Sequence, residues 1–64
     1  MTAGQKALYD RARKRWGAIQ PCAGKSWEAC FTVIQGRLAF WYTDSLGSTH
    51  MELGEALKGG KART

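Results

Sequence analysis

One proline, two cysteines, one histidine and five carboxylate side chains are all that 64 residues hold of those types. Each scarcity excludes something. Two thiols, Cys22 and Cys30, allow one disulfide at most, which is a thin framework for a secreted mini-protein. The carboxylates Asp10, Glu28, Asp44, Glu52 and Glu55 are scattered, and no two are placed for general acid–base work. No run approaches the roughly 18 consecutive apolar residues that would cross a membrane. The first residues, "MTAGQKALYDRARKRWG", hold no apolar stretch of the secretory type. A cytoplasmic location with reduced thiols and no membrane association is therefore expected. Neither GxGxxG nor GxxxxGK[ST] is present, so the glycines are assigned to turns.

What the chain does have is aromatic and basic. A hydrophobic fraction of 44 %, with three Trp, two Tyr and two Phe, points to a folded chain. At this length only about 60 % of the unfolded surface is buried, so the core is marginal. Ten Lys and Arg against five Asp and Glu leave a net charge of +5, which favours anionic partners such as nucleic acid or an acidic protein.

From Ala3 to about Ile19 the pattern is helical. Leu8, Ala12, Trp16 and Ile19 follow one another at spacings of 4, 4 and 3, which places them on one stripe. Thr2 with Gln5 three residues later makes a loose capping box. Pro21 requires the helix to have ended, because proline disfavours helical backbone in the residue before it. "QPCAGKS" reads as loop.

Beyond Ser26 the period shortens from about 3.6 to 2. "EACFTVI" and "RLAFWYT" flank "QG", a two-residue hairpin loop. "DSLG" then leads to a third strand, "STHMEL". The expected fold is α+β: an N-terminal amphipathic helix packed on a three-stranded antiparallel meander. Residues 1–57 are expected to form the single domain, with one helical turn at Glu55 to Lys58. Residues 58–64 are expected to be a disordered basic tail.

With Gln35-Gly36 and Asp44 to Gly47 taken as the loops, one face carries Phe31, Val33, Leu38, Phe40, Tyr42, Met51 and Leu53. The helix would cover that face. The second face would carry Cys30, Thr32, Ile34, Arg37, Ala39, Trp41, Thr43, His50 and Glu52. Trp41, at the centre of that open face, needs a cover. The loop around Pro21 and Trp27, the segment around Ala56 and Leu57, a second copy of the chain, or a stacked ligand would each supply one.

Chemistry is weakly represented. Cys30 and His50 would lie two strand spacings apart, about 9.5 Å, beyond the reach of a nucleophile and its base. Cys22, Cys30 and His50 fall short of the four ligands that structural zinc prefers. No enzyme activity, metal or cofactor is expected.

The remaining signal is "DRARKRW". Arg11, Arg13, Lys14 and Arg15, with Lys6 earlier on the helix, would form a phosphate-contacting patch, while Arg37 and Trp41 would offer a second surface. A solvated helix face explains the same residues. Two classes of function follow. One is a non-enzymatic nucleic-acid-binding accessory module using Lys6, Arg11, Arg13, Lys14, Arg15 and Arg37. The other is a protein-interaction or self-associating module, a homodimer through the sheet face for example, using Trp41, Ile34 and His50.

The order of a helix followed by three antiparallel strands resembles that of double-stranded-RNA-binding domains. Their long, basic C-terminal helix has no counterpart in "EALKGGKART", so no residue role is carried over.

Overall fold

A computed structural model describes residues 1–57. The basic tail expected for 58–64 lies outside the described residues, as does Lys58 of the expected helical turn. The architecture is one helix, α1 (Ala3–Trp16), packed on a four-stranded antiparallel sheet. The strands are β1 (Ile19–Pro21), β2 (Phe31–Ile34), β3 (Arg37–Asp44) and β4 (Thr49–Ala56).

The capping box forms as expected. Gln5 N–H donates to Thr2 Oγ1 at 3.1 Å, and Thr2 N–H donates to Gln5 Oε1 at 3.0 Å. The helix stops earlier than the apolar spacing suggests. Gly17 takes φ +80° at the C-terminus, and its N–H caps the Arg13 carbonyl at 2.7 Å. That left-handed turn is accessible to glycine at little cost. Ile19 therefore leaves the helix and opens β1, opposite Asp44.

β1 is the strand missing from the expected meander. β3 is the hub, paired to each of the other three strands. β4 runs along one edge of β3. β2 and β1 share the other edge, opposite Arg37–Phe40 and Tyr42–Asp44 respectively. Between them the chain makes an excursion through two short 3-10 turns, Cys22–Gly24 and Glu28–Cys30. Strand pairing in "EACFTVI" thus begins only at Phe31.

The β2–β3 hairpin has the expected register, with Phe31 opposite Phe40 and Ile34 opposite Arg37. Gln35 and Gly36 both adopt positive φ, +52° and +74°, the type I′ geometry that matches the strand twist.

The β3–β4 register is shifted by one residue from the expected one. Asp44 N–H donates to the Ser48 carbonyl at 2.9 Å, so these two residues face each other. The loop is the three residues Ser45 to Gly47, and Gly47 has φ +91°. Asp44 Oδ1 accepts N–H bonds from Leu46 and Ser48 at 2.9 and 3.0 Å and shapes the turn. A one-residue slip exchanges the faces of the whole strand. Phe40 faces Glu52, and Trp41 faces Met51. Met51 and Leu53 therefore leave the core face, and His50, Glu52 and Gly54 take their places beneath the helix. Glu55 and Ala56 continue β4 and do not form a helical turn.

The core is accordingly small. Leu8, Ala12, Cys30, Phe40 and Tyr42 are buried. Phe31 stacks on Phe40 with centroids 4.4 Å apart, and Tyr9 meets Trp27 edge-on at 5.1 Å. Gly54 lets the helix approach: a Cβ there would sit 3.4 Å from both the Leu38 carbonyl and Leu8 Cδ1.

Candidate functional site

The face of the sheet turned away from α1 is the candidate site. Alternation along β3 sends Leu38, Phe40, Tyr42 and Asp44 toward the helix, and Arg37, Ala39, Trp41 and Thr43 away from it. From β2 the open face receives Thr32 and Ile34. From β4 it receives Thr49, Met51 and Leu53. Trp41, Met51 and Leu53 are 37 %, 39 % and 41 % exposed, and they adjoin buried Ala39. The register shift makes this face more apolar than expected, because it replaces His50 and Glu52 with Met51 and Leu53.

Trp41 has a partial cover on one side. Cys22, Lys25, Ala29 and Cys30 line a cavity of about 180 Å³ against it. Trp27 does not reach this face, because its ring packs on Tyr9 and Phe40.

The expected register puts His50 on the open face, and the structure places it on the other. Its imidazole stacks on Trp16 with centroids 4.2 Å apart, and Nε2 lies 2.7 Å from Asp44 Oδ2. This hydrogen bond, with the Ser48 and Leu46 N–H groups, holds the Asp44 carboxyl below its ordinary range. The Cys30 thiol donates to the Ser26 carbonyl and the His50 ring bonds Asp44, so the two do not form a pair.

Beneath the helix lies a polar network that the sequence pattern did not reveal. Trp16 Nε1 donates to the Tyr42 hydroxyl at 3.0 Å, and that hydroxyl donates to Glu52 Oε2 at 2.7 Å. Arg11 reaches Glu52 Oε1 at 3.6 Å, and Arg15 reaches Oε2 at 3.5 Å. Burial, followed by the Glu52 hydrogen bond, raises the Tyr42 phenol above its ordinary range. The available signal was a carboxylate in the middle of an otherwise apolar strand, since a buried charge must be paired.

The basic cluster is divided by these contacts. Arg11 and Arg15 lean over β4 onto Glu52, and Arg11 also donates to the Leu53 carbonyl at 3.3 Å. Arg13 turns to the other flank, where Nε donates to the Gly17 carbonyl at 2.9 Å and Nη1 to the Tyr9 hydroxyl at 3.3 Å. Lys6 pairs with Asp10 at 3.3 Å. Arg37, on the sheet, donates to the Gly54 carbonyl at 3.0 Å. Among the described residues Lys14 has neither a side-chain hydrogen bond nor an ion pair. The structure therefore brings Arg11 and Arg15 together and separates them from Arg13 and Lys6.

No group of three or more His, Cys, Asp or Glu side chains is gathered for a metal among the described residues. No helix among them is long and apolar enough to cross a membrane. No family model matches the chain, and neither a curated protein nor a solved structure is detectably similar to it.

Proposed function

We propose that this chain is a small, non-enzymatic interaction module that associates with a second copy of itself through the open sheet face. The supporting observation is the segregation of charge. Thr32, Ile34, Ala39, Trp41, Thr43, Thr49, Met51 and Leu53 form an uncharged stretch of this face, with Arg37 at its end on β3, and the basic helix occupies the other side. Two chains of charge +5 meeting sheet to sheet would keep their basic helices outermost. Sheets stack about 10 Å apart and each helix layer adds about 10 Å, so the helices lie roughly 30 Å from each other. That exceeds the Debye length of about 8 Å at physiological salt, and their mutual repulsion is screened.

Size sets the strength. Strands about 4.8 Å apart and eight residues long offer a face on the order of 400 Å² per copy. Stable interfaces use about 800 Å² per partner, so association through this face is weak and transient. Light scattering over a concentration series is the test. The mass should rise toward that of a dimer, equally at low and high salt, and Met51→Lys should hold the chain monomeric with its helix and sheet content unchanged. A monomer at every concentration up to the millimolar range would end this reading.

A second reading is binding of an anionic polymer, nucleic acid in particular, along α1. It is favoured by the exposure of the Arg11 and Arg15 side chains, 57 % and 66 %, which leaves guanidinium donors facing solvent beyond those used on Glu52. Its mark is an affinity that falls steeply with salt.

A further inference from the structure

The excursion between β1 and β2 begins at Cys22 and ends at Cys30. Pro21 is opposite Tyr42 and Phe31 is opposite Phe40, so both ends of the excursion return to the same point on β3, beside Trp41. Tyr42 and Phe40 are two residues apart, which puts the two ends of the neck within roughly 7 Å of each other along the strand. That spacing, of Pro21 and Phe31, lies just above the Cα separation a disulfide spans, about 4.4–6.8 Å, and Cys22 and Cys30 each lie one residue further into the neck. Both line the cavity against Trp41. Both are free thiols, Cys22 half-buried and Cys30 buried. They are the only two cysteines in the chain.

We propose that Cys22 and Cys30 form a two-thiol site that exchanges with low-molecular-weight disulfides of the glutathione class and closes an intramolecular disulfide across the neck. Cys22, the more accessible, attacks first as its thiolate. It forms a mixed disulfide and releases one glutathione thiolate. Cys30 then attacks the Cys22 sulfur within the cavity, forming the protein S–S bond and releasing the second thiolate. Two protein thiols become one disulfide, and one oxidised glutathione becomes two reduced ones. Both thiol protons pass to the departing thiolates through solvent. Cys30 gives up its weak S–H bond to the Ser26 carbonyl, 3.3 Å, in the second step. Lys25 is the one charged residue lining the same cavity, so an anionic glutathione disulfide meets a favourable field there.

The decisive experiment is equilibration of the folded 64-residue chain in glutathione redox buffers, followed by acid quench, alkylation and mass spectrometry. The same chain in concentrated urea is the reference, since thiols eight positions apart also meet in an unfolded chain. The expected product has lost the mass of two hydrogens, carries no alkyl group and stays monomeric on a non-reducing gel. Its exchange equilibrium constant should be at least about tenfold larger folded than in urea, because the neck holds the thiols at high effective concentration. Cys30→Ser should stop at a stable glutathione adduct on Cys22. The proposal is overturned by an adduct that persists on the wild-type chain with Cys30 still alkylatable, by an interchain disulfide, or by an equilibrium constant no larger than in urea.

Discussion

The Tyr42 hydroxyl joins Trp16 on the helix to Glu52 on β4, accepting at 3.0 Å from one and donating at 2.7 Å to the other. Tyr42 is fully buried, so this bridge fastens the last turn of α1 to the middle of the sheet. It also satisfies a carboxylate that the apolar layer would otherwise leave exposed to desolvation.

Tyr42→Phe should therefore cost about 1–3 kcal/mol, the range for leaving buried polar partners unpaired. Urea unfolding measures it. Leu46→Ser, at a position 90 % exposed, should stay within about 0.5 kcal/mol. The raised phenol adds an alkaline signature. The folded state holds the proton more tightly than the unfolded one, so this contribution is complete below pH about 10 and is lost as pH rises through the folded value. In Tyr42→Phe that alkaline decline should be smaller.

Asp44 gives the opposite signature. Its folded carboxyl titrates below the ordinary range because His50 and two backbone N–H groups stabilise the anion. Its stabilising effect is complete above pH about 4 and is lost as pH falls through the lowered value. The stability gap between wild type and Asp44→Asn should thus be widest near neutrality and close in acid. A gap that stayed constant from pH 7 to 2 would contradict this.

Two glycine-to-alanine substitutions should act in opposite directions. At Gly47, φ +91° is a conformation that side chains resist, and no atom lies within 4 Å of the added Cβ. The cost, about 1–2 kcal/mol, is then purely backbone strain. At Gly4, inside α1, the added Cβ would meet Leu38 Cδ2 at an ordinary 3.6 Å. Alanine is the better helix former, so Gly4→Ala should stabilise by roughly 0.5–1 kcal/mol. Thermal melts of the two variants should shift to opposite sides of wild type.

The arginines divide stability from charge. Arg11→Gln with Arg15→Gln removes both cationic partners of a buried carboxylate, and should destabilise the fold by about 1–3 kcal/mol. Lys14→Gln, with no such partner among the described residues, should leave stability within about 0.5 kcal/mol. If a nucleic-acid oligonucleotide binds α1, Lys14→Gln should weaken it without touching the melt. Equal melts for the double-arginine variant and Lys14→Gln would mean that Glu52 needs no cation.

Much of this architecture was legible in the chain. The Thr2–Gln5 box, the Leu8–Ala12 stripe, the Gln35-Gly36 turn and the β2–β3 register each depend on neighbours within a few residues, where local geometry leaves few options. The failures share a cause of a different kind. "DSLG" fits a four-residue or a three-residue loop, and Met51 and Leu53 are as apolar as a core strand requires. The sequence pattern therefore selected the wrong face of β4. In the expected register His50 and Glu52 both fall on the open face.

Residue order alone thus determined the capped helix, the strand-rich second half, the scarcity of catalytic groups and the outward position of Trp41. Only the tertiary structure decided that Ile19 begins a strand, that β1 and β2 share one edge of β3, and that Glu52 is buried. Those outcomes depend on a balance between distant partners. A one-residue shift gives up two apolar side chains from the core and gains a carboxylate satisfied by Tyr42, Arg11 and Arg15, together with room at Gly54 for the helix. Of those partners only Tyr42 is near the 45–47 loop in the chain, and no periodicity within β4 records them.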